Sequence, residues 1–177
     1  KSGHDRSEPN AENVGRTWPG IVIADVDRDG EQEIVTAHGG GWLSVLNKDG
    51  YFKSNKWPWR GPGGREFRSL SLGDLDGNGD LEIVVGQAAG SLEHTGASRQ
   101  GWPRLKDGDE GSAWGVYNAT IGLGDLDGDE LPEIIVPSDT ITISAYKPDG
   151  TQLVTNPLYH GQPGHDMNVW AEVPAYV

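Results

Sequence analysis

An acidic segment that recurs three times along the chain constrains the fold more than any other feature of the sequence. The copies align without gaps at intervals of about 50 residues. They occupy residues 23 to 35, 72 to 84 and 123 to 135. A recurring unit of this length indicates similar structural modules, each packed mainly against its neighbours in the chain.

Each acidic segment lies between two short runs that predict β-strands. In the first copy the preceding run is Ile21 to Ala24 and the following β-branched run is Ile34 to Thr36. The acidic segment is therefore predicted to be the loop of a β-hairpin. A further apolar run, Trp42 to Leu46 in the first copy, ends at an Asp-Gly turn, and a weaker strand follows the turn.

These patterns predict an all-β fold made of β-propeller blades. Three four-stranded repeats are followed by the first strand of a fourth, as expected for part of a larger propeller. The predicted segments are a polar N-terminal segment at 1–16, repeat 1 at 17–66, repeat 2 at 67–115, repeat 3 at 116–166 and the first strand of a further repeat at 167–177.

The composition limits the possible partners and metals. The chain has no Cys, which excludes disulfides and thiolate zinc sites and leaves oxygen or imidazole as metal ligands. A formal net charge of -13 argues against nucleic-acid binding, which needs clustered Lys and Arg. No apolar run approaches the length of a transmembrane helix, so membrane insertion is not expected.

The acidic loops have the ligand pattern of a calcium site. Counted from its first Asp, each loop has side-chain oxygens at positions 1, 3, 5 and 9, and the backbone carbonyl at position 7 adds another oxygen. The side chains are Asp25, Asp27, Asp29 and Glu33 in the first loop, Asp74, Asp76, Asn78 and Glu82 in the second, and Asp125, Asp127, Asp129 and Glu133 in the third. The position 7 residues are Glu31, Asp80 and Leu131. About three bound Ca²⁺ ions are predicted.

The EF-hand is the main competing interpretation of such loops. It requires a Glu at position 12 and flanking helices, whereas position 12 here is Thr36, Val85 or Val136 inside a predicted strand. The EF-hand is therefore excluded. The third loop departs from the other two at position 6, where Glu130 replaces a Gly in a position that needs a left-handed backbone.

The sequence from Leu72 to Gly86 resembles the calcium-binding FG-GAP or VCBS-type repeats of integrin alpha-subunit β-propellers and of many secreted bacterial proteins. The resemblance implies that each loop joins the first and second strands of a blade, that the calcium is structural and that a complete propeller has about seven blades. The literal Phe-Gly and Gly-Ala-Pro signatures are absent, which favours the bacterial secreted type.

Together these features predict a calcium-stabilised extracellular scaffold for adhesion or for binding a protein or glycan. No recognised nucleophile or phosphate-binding motif is present, so a non-enzymatic role is expected. Two alternatives are the propeller part of a secreted polysaccharide lyase or hydrolase, which the resemblance implies, and a subunit that self-associates through open strand edges.

The Trp residues divide into two predicted roles. Trp57 and Trp102 recur in Trp-Pro steps of successive repeats, which favours packing between repeats. Trp42 and Trp59 have no such counterpart and are the candidates for stacking on a sugar ring.

Overall fold

The structure is a computed structural model that describes residues 20–38, 40–61, 67, 69–86, 90–102, 120–137, 142–151 and 171–172. The predicted N-terminal segment 1–16 lies outside these residues. The described residues form eleven β-strands in three antiparallel sheets and contain no helix. Accordingly, nothing in this part of the chain is a helix of the length and apolar character needed to cross a bilayer.

The first sheet has four strands in chain order. They are β1 (Val22–Ala24), β2 (Glu33–His38), β3 (Trp42–Leu46) and β4 (Trp59–Arg60), and each pairs with the next. The β1–β2 hairpin pairs Ala24 with Glu33, so the first acidic loop joins the first two strands as predicted.

The second sheet repeats this arrangement with three described strands. They are β5 (Leu70–Gly73), β6 (Glu82–Val85) and β7 (Gly90–Leu92), in the order β5-β6-β7. Gly73 pairs with Glu82, and the second acidic loop lies between them.

The third sheet has four strands in the order β11-β10-β9-β8. They are β8 (Gly122–Gly124), β9 (Glu133–Pro137), β10 (Thr142–Tyr146) and β11 (Ala171–Glu172). The pairing of Gly124 with Glu133 places the third acidic loop at the same point of its hairpin.

The position of β11 differs from the prediction for residues 167–177. These residues were expected to begin a fourth repeat, but Ala171 pairs with Ile143 of β10, and β11 occupies the place in the third sheet that β4 occupies in the first. Strand propensity identifies a strand but not its partner, because the pairing partner depends on contacts distant in sequence.

The three sheets have a common turn after their third strand. Gly50, Gly96 and Gly150 each have a positive φ of 79° to 85°, and each donates its N–H to the carbonyl three residues earlier. A Gly adopts this left-handed conformation without the steric cost that a Cβ brings. The predicted Asp-Gly turns and their counterpart at His94-Thr95-Gly96 are confirmed.

The hydrophobic core lies between consecutive sheets. One buried cluster joins the first sheet to the second and contains Val35, Ile83 and Val85, while another joins the second sheet to the third and contains Val84 and Ile134. Adjacent residues of β6 thus face opposite sheets, as the alternation of a β-strand requires. Because both faces of β6 are covered, its residues from Ile83 to Val85 are all β-branched rather than alternately polar.

Trp57 and Trp102 pack each sheet against the turn of the next, which confirms their predicted role. A Cβ added to Gly96 would lie 3.5 Å from the Trp57 ring. The Trp102 indole donates a hydrogen bond of 2.9 Å from Nε1 to the carbonyl of Pro148. Both Trp side chains are buried.

The described sheets are open and follow one another through similar contacts. The carbonyl of Val26 accepts a hydrogen bond from the N–H of Leu81, and the Ser69 hydroxyl accepts one from the N–H of Ile121. The all-β fold and its repetition are confirmed. The closure of such sheets into a propeller remains a prediction.

Candidate metal centres

The acidic loops share one backbone scaffold, in which the carboxylate at position 1 accepts hydrogen bonds from two N–H groups later in the loop. The Asp74 carboxylate accepts from Gly77 and Gly79, both at 2.8 Å. The Asp125 carboxylate accepts from Gly128 at 2.7 Å and from Glu130 at 3.1 Å. These bonds fold each loop tightly around its first Asp.

The scaffold requires a left-handed backbone at positions 4 and 6. Position 6 has φ of 87° at Gly30, 94° at Gly79 and 73° at Glu130, so the prediction of left-handed geometry there is confirmed. Position 4 has the same requirement, and in the first loop Arg28 meets it with φ of 58°. A non-Gly residue in this conformation is strained by roughly 1–2 kcal/mol.

The Glu at position 9 is the most buried acidic residue of each loop. Glu33, Glu82 and Glu133 are each at most 1% exposed. In every loop the Oε2 atom of this Glu accepts a hydrogen bond from the N–H at position 2. The donors and distances are Val26 at 3.1 Å, Leu75 at 2.7 Å and Leu126 at 2.7 Å.

In the second and third loops, the second carboxylate oxygen of this Glu tests whether the loop fits a cation. The Oε1 atoms of Glu82 and Glu133 are fully buried and have no hydrogen-bond partner among the described residues. A buried carboxylate oxygen without a partner is costly, and a cation coordinated to the oxygen removes that cost. The loops therefore fit a cation.

Each loop also brings three carboxylates close together. In each group one oxygen per residue lies within 4.8 Å of the others. The groups are Asp25, Asp27 and Asp29 in the first loop, Asp74, Asp76 and Glu82 in the second, and Asp125, Asp127 and Glu133 in the third. Oxygen ligands in a flexible arrangement are the preference of calcium.

The other predicted ligands have hydrogen bonds within the loops. At position 5, Asn78 accepts from the N–H of Asp80 at 2.7 Å, and Asp129 accepts from the N–H of Leu131 at 3.0 Å. In the first loop the N–H of Glu31 bonds in the same way to the position 5 carboxylate. Coordination by the position 5 side chains and the position 7 carbonyls remains a prediction.

Cationic side chains that were not predicted from the sequence contact the acidic residues of the loops. Lys53 Nζ lies 2.7 Å from Asp29 Oδ2 and 2.8 Å from Glu33 Oε1. Arg99 and Lys147 contact the second and third loops in a similar way. Lys53 lies six residues after Asn47, and Arg99 lies six residues after Glu93, where Asn47 and Glu93 begin the turns of their sheets. This common spacing could have identified both residues from the sequence.

These contacts shift the pKa values of both partners. Burial acts to lower the pKa of Lys53, but hydrogen bonds to Asp29, Glu33 and Asp27 outweigh it and raise the pKa. The hydrogen bond from Lys53 lowers the pKa of Asp29. Desolvation raises the pKa of Glu82 to about 7, because the backbone N–H of Leu75 and the charge of Arg99 only partly offset the loss of water.

The two Trp residues predicted to bind a ligand both contact other side chains of the chain. The Arg60 guanidinium carbon lies 5.3 Å from the centroid of the Trp42 ring, a cation–π contact. The Trp59 ring stacks on Phe67 with centroids 5.8 Å apart. Ligand binding by Trp42 and Trp59 remains a prediction.

The fold and the loops define an all-β repeat protein whose hairpins carry clustered acidic side chains. Residues 25–85 match the FG-GAP-like repeat family. This segment extends from the first acidic loop to the end of β6, and the resemblance predicted from the sequence is confirmed. No curated protein sequence matches the chain.

Two solved structures are similar to the chain. One is the V. cholerae biofilm matrix protein Bap1, with 19% identity and a TM-score of 0.40 over 75% of this chain and 27% of that one. The other is BBS1N, crystallised in complex with ARL6DN, with 14% identity and a TM-score of 0.50 over 91% of this chain and 46% of that one. The chain thus spans less than half the length of either structure.

The pKa of Glu82 predicts a pH dependence of stability in the absence of divalent cations. The pKa of Glu82 rises from its ordinary 4.5 to about 7 in the folded protein, so between these values the folded state binds more protons than the unfolded state. Stability therefore falls as the pH rises from 4.5 to 7. The difference corresponds to about 3 kcal/mol.

The Glu82→Gln variant, which is neutral at every pH, should not show this loss. Urea denaturation in chelator should give a stability advantage of the variant over the wild type that widens from pH 4.5 to pH 7. Asp29 and Asp129 do not interfere with this comparison. Their pKa values are lowered from an ordinary value of 3.8, so they change the pH dependence of stability only below the tested range. Parallel curves for the two proteins would contradict the prediction.

Proposed function

We infer that the chain is a calcium-stabilised extracellular scaffold for adhesion or for binding a protein or glycan, and that the calcium is structural. The observation that carries this proposal is the buried Glu at position 9. In the second and third loops this Glu is grouped with two Asp carboxylates, and its Oε1 atom is buried without a hydrogen bond among the described residues. The FG-GAP-like repeat over residues 25–85 supports the same conclusion.

Electrostatics supports a bound ion. Two carboxylates about 5 Å apart repel each other by about 3 kcal/mol at an effective dielectric constant of about 20. Each loop holds a group of three carboxylates within this distance. A divalent cation among them converts the repulsion into attraction, so calcium would stabilise the folded hairpin.

An extracellular location suits such loops. Extracellular calcium modules bind with dissociation constants of roughly 0.1 to 1 mM, whereas cytosolic sites must bind far more tightly. Among the described residues the clustered acidic side chains lie in the hairpin loops, which are assigned to calcium. The lyase or hydrolase alternative therefore rests on the resemblance alone.

A groove between the second and third sheets has charged and apolar side chains in its lining. It has a volume of about 770 Å³, and Asp76, Glu93, Arg99 and Asp149 are among its lining residues. Charged side chains around an open groove suit a polar ligand, and solvent ions can reach the second loop through it.

Calorimetry of the chelator-stripped protein should detect calcium binding, together with a gain of β-sheet signal in circular dichroism. Glu133→Gln removes the buried carboxylate of the third loop and should abolish one binding event. Glu130→Gln neutralises an exposed residue of the same loop and should leave the number of ions unchanged. The absence of binding to the wild type, with unchanged melting in chelator, would refute the proposal.

Self-association is a second candidate role, favoured by exposed apolar side chains in the first and third of the described sheets. Ile121 at the start of the third sheet is 2% exposed because the second sheet covers it, whereas its counterpart Ile21 is 64% exposed. At the other end, Leu126 is 46% exposed while its counterparts Val26 and Leu75 are buried. Two different apolar faces favour a head-to-tail contact.

Light scattering tests this second role. Association through these faces should give a molar mass above 19.0 kDa that decreases in an Ile23→Ser variant, since Ile23 is 62% exposed on the same face as Ile21. A monomeric wild type at high concentration would rule out association of the chain with itself.

A further inference from the structure

We propose that Lys53 is a built-in counter-ion of the first loop, which competes with calcium and makes this loop the weakest of the three calcium sites. The inference rests on the proposed calcium binding and adds an order among the sites. Two observations support it: Lys53 contacts three carboxylates of the first loop, and the buried Glu of the third loop has no such cationic partner among the described residues. In addition, an ammonium group and a metal ion cannot occupy the same oxygens.

Lys53 neutralises the first loop from within. Its Nζ atom lies within 3.2 Å of oxygens from Asp27, Asp29 and Glu33. Two of these residues belong to the carboxylate group of the first loop, and the third is the buried Glu at position 9. In this loop the group of three comprises Asp residues only, since Glu33 Oε1 points to the lysine.

The third loop also has a cationic side chain, Lys147, but among the described residues this side chain forms no ion pair with the buried Glu at position 9. Lys147 Nζ lies 2.5 Å from Asp127 and 3.2 Å from Asp129, but no ion pair joins it to Glu133 within the described residues. The Oε1 atom of Glu133 is left without a hydrogen-bond partner there. Lys53 lies six residues after Asn47, which begins the turn of the first sheet. Six residues after Lys147, which begins the same turn in the third sheet, the sequence has Leu153, which carries no charge.

The second loop is intermediate. Arg99 corresponds to Lys53, since both backbone N–H groups bond back to the third strand of their sheet. The Arg99 guanidinium lies 3.4 Å from Glu82 Oε1 and forms no hydrogen bond with it, while it lies 3.0 Å from Glu93. Its charge is therefore shared with a residue outside the loop.

Calcium and the Lys53 ammonium group exclude each other from the first loop. Calcium coordinates oxygens at 2.3–2.6 Å, and the ammonium group already lies at hydrogen-bond distance from the same carboxylates. Calcium must therefore displace Lys53 into solvent, against the repulsion between two nearby cations. The first loop needs calcium least and binds it most weakly, while the third loop needs it most.

An NMR titration with calcium resolves the three loops separately. The N–H groups of Gly30, Gly79 and Glu130 each donate to the position 1 Asp of their own loop, so each reports on one site. In the wild type the Glu130 signal should respond at the lowest calcium concentration and the Gly30 signal at the highest. Equal midpoints at Gly30 and Glu130, or the reverse order, would overturn the inference.

Lys53→Met provides the matched perturbation, since methionine retains most of the aliphatic chain without the charge. The Gly30 midpoint should fall by about tenfold or more, with the other two unchanged. In chelator the variant should melt about 5 °C or more below the wild type, because Asp27, Asp29 and Glu33 lose their counter-ion. In saturating calcium the difference should disappear.

Lys48→Met is the control for a general change of charge near the loop. Lys48 pairs with the exposed carboxylate of Glu31, and its side chain is 61% exposed. This variant should leave the Gly30 midpoint within about twofold of the wild type. An equal effect of the two variants would overturn the inference. If none of the three N–H signals of the wild type responds to calcium, the proposed function itself is refuted.

Discussion

The hydrogen bond from the N–H at position 2 to the buried Glu at position 9 is the interaction on which each repeat depends. It closes the acidic loop across the hairpin and places a carboxylate inside the protein, where its charge must be balanced. In the second and third loops the same carboxylate lies close to two Asp side chains of the loop, whereas in the first loop Glu33 Oε1 contacts Lys53. The grouping of carboxylates is thus linked to how the hairpin closes.

The repetition of this hairpin also determines how the sheets pack. The residue at position 2 donates the closing hydrogen bond with its N–H, and its side chain enters the core shared with the next sheet, as Val26 and Leu75 show. Loop closure and packing between sheets therefore involve the same residue. A cation that stabilises the loop would also stabilise the contact between neighbouring sheets, which suits a structural role.

Most of the fold could be predicted from the sequence, because the signals for the hairpins are local. Alternating apolar residues, acidic loops and Asp-Gly turns each act within a few residues, and the observed strands β2, β3 and β6 follow them. The partner of β11 could not be predicted, since pairing with β10 depends on contacts between distant segments. The left-handed backbone of Arg28 was also missed, because nothing at that position marks it as Gly does in the other loops.

The clustering of the acidic side chains could be predicted from their spacing, but their counter-ions could not. Lys53 and Arg99 reach the loops from beyond the third strand of their sheets, and only the folded structure brings them within ion-pair distance. The burial of Glu133 is likewise a tertiary property, since the sequence does not distinguish a buried Glu from an exposed one. Residue type predicted the chemistry of the loops, and packing decides which loop holds a free carboxylate.

Anomalous scattering from crystals grown in calcium tests the central claim most directly. The account predicts peaks among Asp74, Asp76 and Glu82 and among Asp125, Asp127 and Glu133, with Oε1 of each Glu within about 2.3–2.6 Å of the ion. Well-ordered loops without such peaks at millimolar calcium, with the Glu oxygens bonded to protein groups instead, would contradict it.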